Sequence, residues 1–153
     1  MKLSRPCLGV ALAAGLATAG PTLASAQGLQ HFAVLGGGNV VSADGKAKAG
    51  DPDGSAAAAI TLDRSNSRLC VIMLVQLIDK PTAAALRQGV AGVNGPVVVN
   101  LTLPAAGNPG SSTTCLSGFD PAVGLHIRTK PGDFYLDVRT GPFPGGAVRG
   151  QIF

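Results

Sequence analysis

The sequence contains no glutamate and no tryptophan, so its acidic residues are eight aspartates, and it has only six phenylalanine and tyrosine residues. Nucleic-acid-binding domains typically carry a cationic patch, to which single-strand binders add aromatic rings for stacking on bases; this chain has no basic run and few such rings. Zinc and copper sites usually take three or four nitrogen, sulfur or carboxylate ligands, and two histidines with two cysteines that we expect to be oxidised are too few for them. We therefore expect no nucleic-acid partner, no metal and no cofactor.

The chain is instead rich in residues that form turns, with 22 glycines and 11 prolines. This composition disfavours long helices and favours short strands separated by turns. Without a leader, about 125 residues remain, which is enough for one domain with a core. We expect an all-β fold, an antiparallel Greek-key β-sandwich or barrel of seven to nine short strands.

Residues 1–26 have the pattern of a cleaved signal peptide. Lys2 and Arg5 precede an apolar run from residue 8 to about residue 19, and small residues lead up to Ala26. The run is shorter than the roughly 20 residues that span a membrane, although an uncleaved anchor is the alternative. Cleavage after Ala26 leaves ten basic and eight acidic residues, with no membrane span. We expect the protein to be secreted, either extracellular or in the cell envelope or periplasm.

Two cysteines, Cys70 and Cys115, follow the predicted leader, whereas Cys7 lies within it. Paired thiols persist as disulfides in an oxidising compartment, so we expect a Cys70–Cys115 bridge. A bridge closing a loop of about 45 residues contributes on the order of 3–4 kcal/mol on the loop-entropy model. Two buried free thiols are the alternative.

Hydrophobic periodicity locates the strands. Residues 68–77 are apolar at both odd and even positions, which predicts a central strand buried on both faces. Residues 81–93 are expected to begin helically and residues 104–117 to form a loop that holds Cys115. The other predicted strands are residues 31–35, residues 56–63 in preference to a short helix, residues 97–103, residues 123–129, and a final hairpin of residues 134–139 and 147–152.

Two short motifs resemble ligand sites only superficially. The glycines of residues 36–38 invite a phosphate-loop interpretation, but no Lys-Ser/Thr follows them, and a bulge or turn is favoured. Asp44, Asp51 and Asp53 lack the spacing and the terminal Glu of a calcium loop, so they are interpreted as turn residues.

Three stretches resemble the CHRD domain, a module named after chordin that also occurs alone in secreted bacterial proteins. They are Phe32-Ala-Val-Leu-Gly36, Gly89-Val-Ala-Gly-Val-Asn-Gly-Pro-Val-Val-Val99, and Phe134-Tyr-Leu-Asp-Val-Arg-Thr-Gly-Pro-Phe-Pro-Gly-Gly-Ala-Val-Arg-Gly-Gln151. The resemblance implies a single domain over residues 31–153 with an immunoglobulin-like β-sandwich fold.

The chain departs from the family pattern at its histidines. Typical members carry Ala-His-Ile-His before the middle motif and Val-His-Thr within the last one, where this sequence has Ala84-Ala85-Leu86-Arg87 and Val138-Arg139-Thr140. The remaining His31 and His126 are expected to be surface or half-buried residues. No serine lies in a nucleophile elbow, so we predict no catalytic residue and a protein that is not an enzyme.

Arginines stand where the family has histidines, and this suggests a candidate site. If the family alignment places Arg87 and Arg139 side by side, joined by Arg149, their guanidinium groups would suit a carboxylate, sulfate or phosphate. The alternative is ordinary pairing with Asp137, Asp133 or Asp79 at a solvated surface.

The function expected from these features is that of a secreted, non-enzymatic module that binds an extracellular protein or polysaccharide. One alternative is a metal-dependent or redox enzyme on a superoxide-dismutase-like sandwich, which the missing histidines disfavour. Another is a structural component of the cell envelope.

Overall fold

A computed structural model describes residues 28–63 and 65–153, and the predicted signal peptide with Cys7 lies outside them. The described residues form eight strands, one α-helix and two short 3₁₀ turns. The strands are β1 (Leu29–Gly36), β2 (Ser55–Leu62), β3 (Arg68–Gln76), β4 (Pro81–Gln88), β5 (Val97–Asn100), β6 (Gly110–Ser117), β7 (Phe134–Thr140) and β8 (Val148–Gln151). The helix α1 spans Pro121–Thr129, and the 3₁₀ turns span Gly37–Asn39 and Pro131–Asp133.

All eight strands belong to one antiparallel sheet with the order β5-β4-β7-β8-β1-β2-β3-β6. The sheet curls so far that its two edges are in contact. The Thr102 backbone N–H, just after the edge strand β5, donates to Thr114 Oγ1 on the other edge strand, β6, at 2.8 Å. The all-β class and the expected number of strands are confirmed.

The core lies inside the curl, between the β1–β2–β3 part of the sheet and the β4–β7–β8 part. Strands alternate their side chains between two faces, so every second residue of each strand points inward. The fully buried inward-facing residues include Leu35, Ile60, Leu62, Leu69, Met73 and Val75 from the first part and Leu86, Phe134, Leu136, Val138 and Val148 from the second. Ile127 of α1 and Ile152 close the same cluster.

The predicted final hairpin is confirmed, with Val138 paired to Val148 and Tyr135 to Gln151. Its alternation is less simple than expected, because Tyr135 and Asp137 on the second face are also buried. The second face is buried because two connecting segments cover it, and this cover forms the site described below.

Four expectations about secondary structure are wrong or incomplete. Residues 81–88 form β4 instead of beginning a helix, because pairing with β7 and β5 overrides the helix propensity of the alanines. Residues 123–129 lie in α1 instead of a strand. The Asp120 carboxylate caps this helix by accepting from the Ala122 N–H at 2.8 Å, and Pro121 fits its first turn. The expected loop over residues 104–117 contains the edge strand β6 in its second half.

The fourth expectation concerned β3, which was predicted to be buried on both faces. It buries Leu69, Val71, Met73 and Val75, but Ile72 and Leu74 are more than half exposed on the outer face. In the register of the sheet, Ile72 is paired with Ala59, and Ala59 is paired on its other side with Phe32, which is also exposed. The outer face of β1–β2–β3 is therefore an apolar surface open to solvent over these residues.

The predicted Cys70–Cys115 disulfide is present and joins two directly paired residues of β3 and β6, with Cα atoms 4.1 Å apart. Cys115 therefore fastens an edge strand, and not a loop, to its neighbour. The turns expected at Asp44-Gly45 and at residues 51–54 are also present, with Gly45 at φ +84°. The glycine stretch after β1 forms the 3₁₀ turn Gly37–Asn39, as the turn interpretation required.

Candidate functional site

The candidate site lies on the outer face of β4, β7 and β8. Phe134, Leu136 and Val138 of β7 point into the core, so Tyr135, Asp137 and Arg139 share the opposite face. Strand register places Arg87 of β4 opposite Tyr135, and Arg149 of β8 opposite Asp137. Three arginines and one aspartate thus meet on three neighbouring strands.

The Asp137 carboxylate holds two of the arginines. Its Oδ1 accepts from Arg87 Nε at 3.0 Å, and its Oδ2 accepts from Arg139 Nε at 3.1 Å. The Asp137 side chain is only 7% exposed, against 16% for Arg87 and 33% for Arg139. A charge this buried is stable only when paired, so the two guanidinium groups are its counterions.

The way in which these arginines are held leaves donors for another molecule. Arg87 also donates from Nη1 to the Gly95 carbonyl at 3.0 Å. Among the described residues, Arg87 Nη2 and both terminal nitrogens of Arg139 have no hydrogen-bond partner. Because Asp137 fixes each group through Nε, the unused N–H groups keep defined directions beside the cavity.

Arg149 has a different role, since it is almost fully buried and binds the β4–β5 loop, residues 89–96. Its Nη2 donates to the carbonyls of Val90 and Val93 at 3.0 and 2.9 Å, and its Nη1 donates to Asn94 Oδ1 at 3.2 Å. Its guanidinium carbon lies 3.6 Å from the centre of the Tyr135 ring, within the range of a cation–π interaction. Burial lowers the pKa of Arg149 from its ordinary value, while Tyr135 and Asp137 act in the opposite direction.

Asn94 connects this loop to the β1–β2 connection, residues 40–54. Its Nδ2 donates to the carbonyls of Val41 and Ser42, each at 3.0 Å. The Tyr135 hydroxyl accepts from the Gly95 N–H at 3.0 Å. Two segments from opposite sides of the site are thereby tied together over the β7 face, which explains why that face is buried.

A cavity of about 260 Å³ remains between the strands and these segments. Three guanidinium groups and one carboxylate are the charged groups among its lining residues, which gives a local charge of +2. The complete lining consists of Val40, Val41, Ala43, Arg87, Asn94, Tyr135, Asp137, Arg139, Gly145, Gly146 and Arg149. This arrangement, which we call the arginine pocket, has the donors and the charge to hold an oxyanion.

The structure therefore brings together Arg87, Arg139 and Arg149, the three residues singled out from the sequence. Asp137, one of the three aspartates considered as partners, pairs with Arg87 and Arg139, but this pairing is buried and not at a solvated surface. Asp133 instead contacts His126, its Oδ2 lying 2.8 Å from the ring Nε2. The sequence did not predict that Asn94 and Tyr135 hold the loops over the site. Asn94-Gly95 was recognisable as a turn, but no local pattern indicated which groups the Asn94 side-chain amide would bind.

The two histidines lie apart from the arginine pocket. His126 lies on α1, not on a strand, and its ring packs edge-on against Phe134 with centroids 4.9 Å apart. His31 is buried, which corrects the expected surface or half-buried position, and its Nδ1 lies 3.3 Å from the Phe153 carbonyl oxygen. Over residues 28–63 and 65–153, no group of three or more His, Cys, Asp or Glu side chains is arranged to hold a metal ion. The helices in that same part of the chain include none long and apolar enough to cross a membrane.

Fold and site together define a disulfide-linked all-β domain with a buried, cationic pocket covered by two loops. The family model of the CHRD domain matches residues 32–152. The chain belongs to the CHRD domain family, as the resemblance indicated. No curated protein and no solved structure matches the chain.

Proposed function

We propose that this CHRD-domain protein is an exported, non-enzymatic binding module that takes an anionic group of an extracellular protein or polysaccharide into the arginine pocket. One observation carries the proposal: Asp137 fixes Arg87 and Arg139 through their Nε atoms and leaves terminal N–H groups beside the cavity. Donors held in place before the ligand arrives lose little conformational entropy on binding, so they favour affinity.

The local charge supports the same conclusion. Asp137 neutralises only one of three guanidinium groups, and the pocket lining supplies no second carboxylate. An anion entering the pocket meets a net positive site partly shielded from water, where charge-assisted hydrogen bonds are stronger than at an open surface.

The test is retention on an immobilised anionic polysaccharide at low ionic strength. The double variant Arg87→Ala with Arg139→Ala should be eluted at clearly lower salt than the wild type. The charge-matched control is Arg68→Ala with Lys80→Ala, because both residues are exposed, outside the pocket lining, and the net charge falls by the same two units. Equal elution of the two double variants would refute the proposal, since retention would then follow net charge alone.

Export is part of the proposal and is supported by the Cys70–Cys115 disulfide, because such bonds persist in oxidising compartments. Mass spectrometry of the intact secreted protein should give a chain that begins at Gln27 and is lighter by two hydrogen atoms than the reduced form. A chain that retains Met1, or one whose thiols react with an alkylating agent before reduction, would contradict this part.

We also propose that the curled sheet is the Greek-key, immunoglobulin-like sandwich that the family resemblance implies. The support is that β1 pairs with β8, so strands from the two ends of the domain are neighbours, and that the two parts of the sheet pack their inner faces on one core. An experimental structure in which the β1–β2–β3 part and the β4–β7–β8 part do not pack face to face on one core would contradict it.

A further inference from the structure

We propose that two copies of this chain form a reversible dimer through the outer face of β1, β2, β3 and β6. This surface, which we call the apolar face, consists of the outward-pointing side chains of those four strands. The inference does not depend on the proposed function, because none of these side chains lines the arginine pocket.

The centre of the apolar face is exposed to solvent. Two rows of directly paired residues cross it, one formed by Phe32, Ala59, Ile72 and Thr113 and the other by Val34, Ala57, Leu74 and Ser111. The four large apolar side chains in these rows are between 48% and 65% exposed, so nothing in residues 28–63 and 65–153 covers them fully. A contiguous exposed apolar patch on a small domain marks a surface that binds another molecule.

The charge of the apolar face favours a second copy as the partner. Arg68, at one end of β3, is the one charged side chain that the four strands direct outward. A membrane surface or an acidic protein is recognised through several basic residues around the apolar ones, and a basic protein through acidic residues. A neutral apolar face meets its complement in an identical face, where association removes almost no charge from water.

The shape of the apolar face is self-complementary. In both rows, an alanine of β2 lies between a large side chain of β1 and a large side chain of β3. Neighbouring strands are about 4.8 Å apart, so two ridges of large side chains stand about 10 Å apart with a shallow trough between them. A twofold axis can place the Ile72 and Leu74 ridge of one copy in the trough of the other, and the same axis repeats this contact in reverse.

The area of the apolar face sets the strength of the dimer. Four strands of about eight residues cover at most roughly 20 Å by 26 Å, which is about 500 Å² in each copy. Two copies therefore bury about 1,000 Å², the lower limit of specific interfaces, so we expect a dissociation constant on the order of 10–100 µM. The Cys70–Cys115 disulfide fixes β6 to β3 within this face, so little backbone freedom is lost on association.

Sedimentation velocity of the protein purified from the secreted fraction tests the dimer. The weight-average sedimentation coefficient should rise from the monomer value to the dimer value as the concentration passes through the expected dissociation constant. Because the contact is apolar, association should be unchanged or stronger at high salt. Association through the charged arginine pocket would instead weaken as salt is added.

Ile72→Lys places a charge on a ridge at the centre of the apolar face. Both copies carry the substitution, so two lysines enter the interface and association should weaken at least about tenfold. The matched control is Leu125→Lys on α1, because Leu125 is 51% exposed against 52% for Ile72 and lies outside the face. The control should associate like the wild type, and urea unfolding of both variants checks that each is folded.

Ala57→Leu separates a shaped interface from general apolar attraction. The larger side chain fills the trough, so the substitution should weaken the dimer by about tenfold although it adds apolar surface. Ala122→Leu adds the same surface at an exposed position of α1 and should leave association unchanged. If Ile72→Lys does not fold, Ala57→Leu decides the question.

Three results would overturn the inference. The first is a monomer at every concentration, the second is association that salt disrupts or that a folded Ile72→Lys does not weaken, and the third is tighter association of Ala57→Leu. A monomer that still requires Arg87 and Arg139 for polysaccharide retention would overturn the dimer and leave the proposed function intact.

Discussion

Asp137→Asn removes the carboxylate charge from the centre of the arginine pocket and keeps the shape of the side chain. In the wild type, each Asp137 oxygen accepts from one arginine Nε. The asparagine Oδ1 can still accept from one guanidinium group, but its NH₂ group faces the other as a second donor. Arg87 and Arg139 then lie side by side in a partly buried site without a counterion.

The expected loss of stability follows from how exposed the side chains of Asp137, Arg87 and Arg139 are. Breaking a buried ion pair by removal of one partner costs about 3–5 kcal/mol, and solvent screening of the third-exposed Arg139 lowers this figure. We expect the free energy of unfolding to fall by about 2–4 kcal/mol. For a domain of this size, the melting temperature should then fall by about 10 °C.

Urea unfolding is the assay, followed by far-ultraviolet circular dichroism because the chain has no tryptophan. The midpoint should shift while the slope stays constant, since the same surface is exposed on unfolding. The matched control is Asp79→Asn at an exposed position, which should change stability by less than about 0.5 kcal/mol. If Asp137→Asn is as stable as this control, Asp137 is not the counterion on which the pocket depends.

Three further predictions concern the scaffold around the pocket. Cys70→Ala with Cys115→Ala should lower the free energy of unfolding by about 3–4 kcal/mol, because the bridge closes a loop with a sequence separation of 45 residues; urea unfolding measures this. Burial raises the pKa of Asp51 above its ordinary value of 3.8, so the fold loses stability as the pH rises above 3.8 and through the raised pKa, and Asp51→Asn should be more stable than the wild type at pH 7 but not at pH 3. Gly95→Ala should cost on the order of 2 kcal/mol in the same assay, because its Cβ would lie 1.6 Å from the Gln88 carbonyl oxygen.

A different result would contradict each of these three predictions. Wild-type protein kept in a reducing agent should match the double cysteine variant, and an unchanged midpoint in both would mean that the bridge does not stabilise the fold. A stability difference for Asp51→Asn that is equal at the two pH values would exclude ionisation as its cause. Gly141→Ala places a Cβ in open space, so a loss as large as that of Gly95→Ala would show that crowding is not the reason.

Local sequence signals predicted the final hairpin well. Alternation in residues 134–139 and the Pro/Gly turn after them were sufficient, because a strand buried on one face carries a two-residue period. The same signals failed for residues 81–88, where alanine-rich sequence lies between two strands and pairing decided the conformation. They failed for β3 because residue type alone does not show that Ile72 and Leu74 are exposed and not buried.

The candidate site was predictable only in part. Arg87 and Arg139 were singled out through the resemblance to the CHRD pattern, which implies histidines at these positions, and the register of β4 and β7 does bring the two arginines to one carboxylate. The position of Arg149 beneath a loop was not predictable, since no local pattern tells a buried arginine from an exposed one. Its partners, the carbonyls of Val90 and Val93, lie more than fifty residues earlier in the chain.

The sequence by itself was sufficient to predict an all-β member of the CHRD family with a Cys70–Cys115 disulfide and to single out Arg87, Arg139 and Arg149. These properties depend on periodicity, turn residues and motifs, and each of these is a pattern of residues close together in the sequence. Only the tertiary structure decided that two loops cover the outer face of β7 and that Asp137 is buried between two arginines. Those facts depend on which distant segments pack together, and packing of that kind minimises exposed apolar surface and unpaired charge over the whole domain.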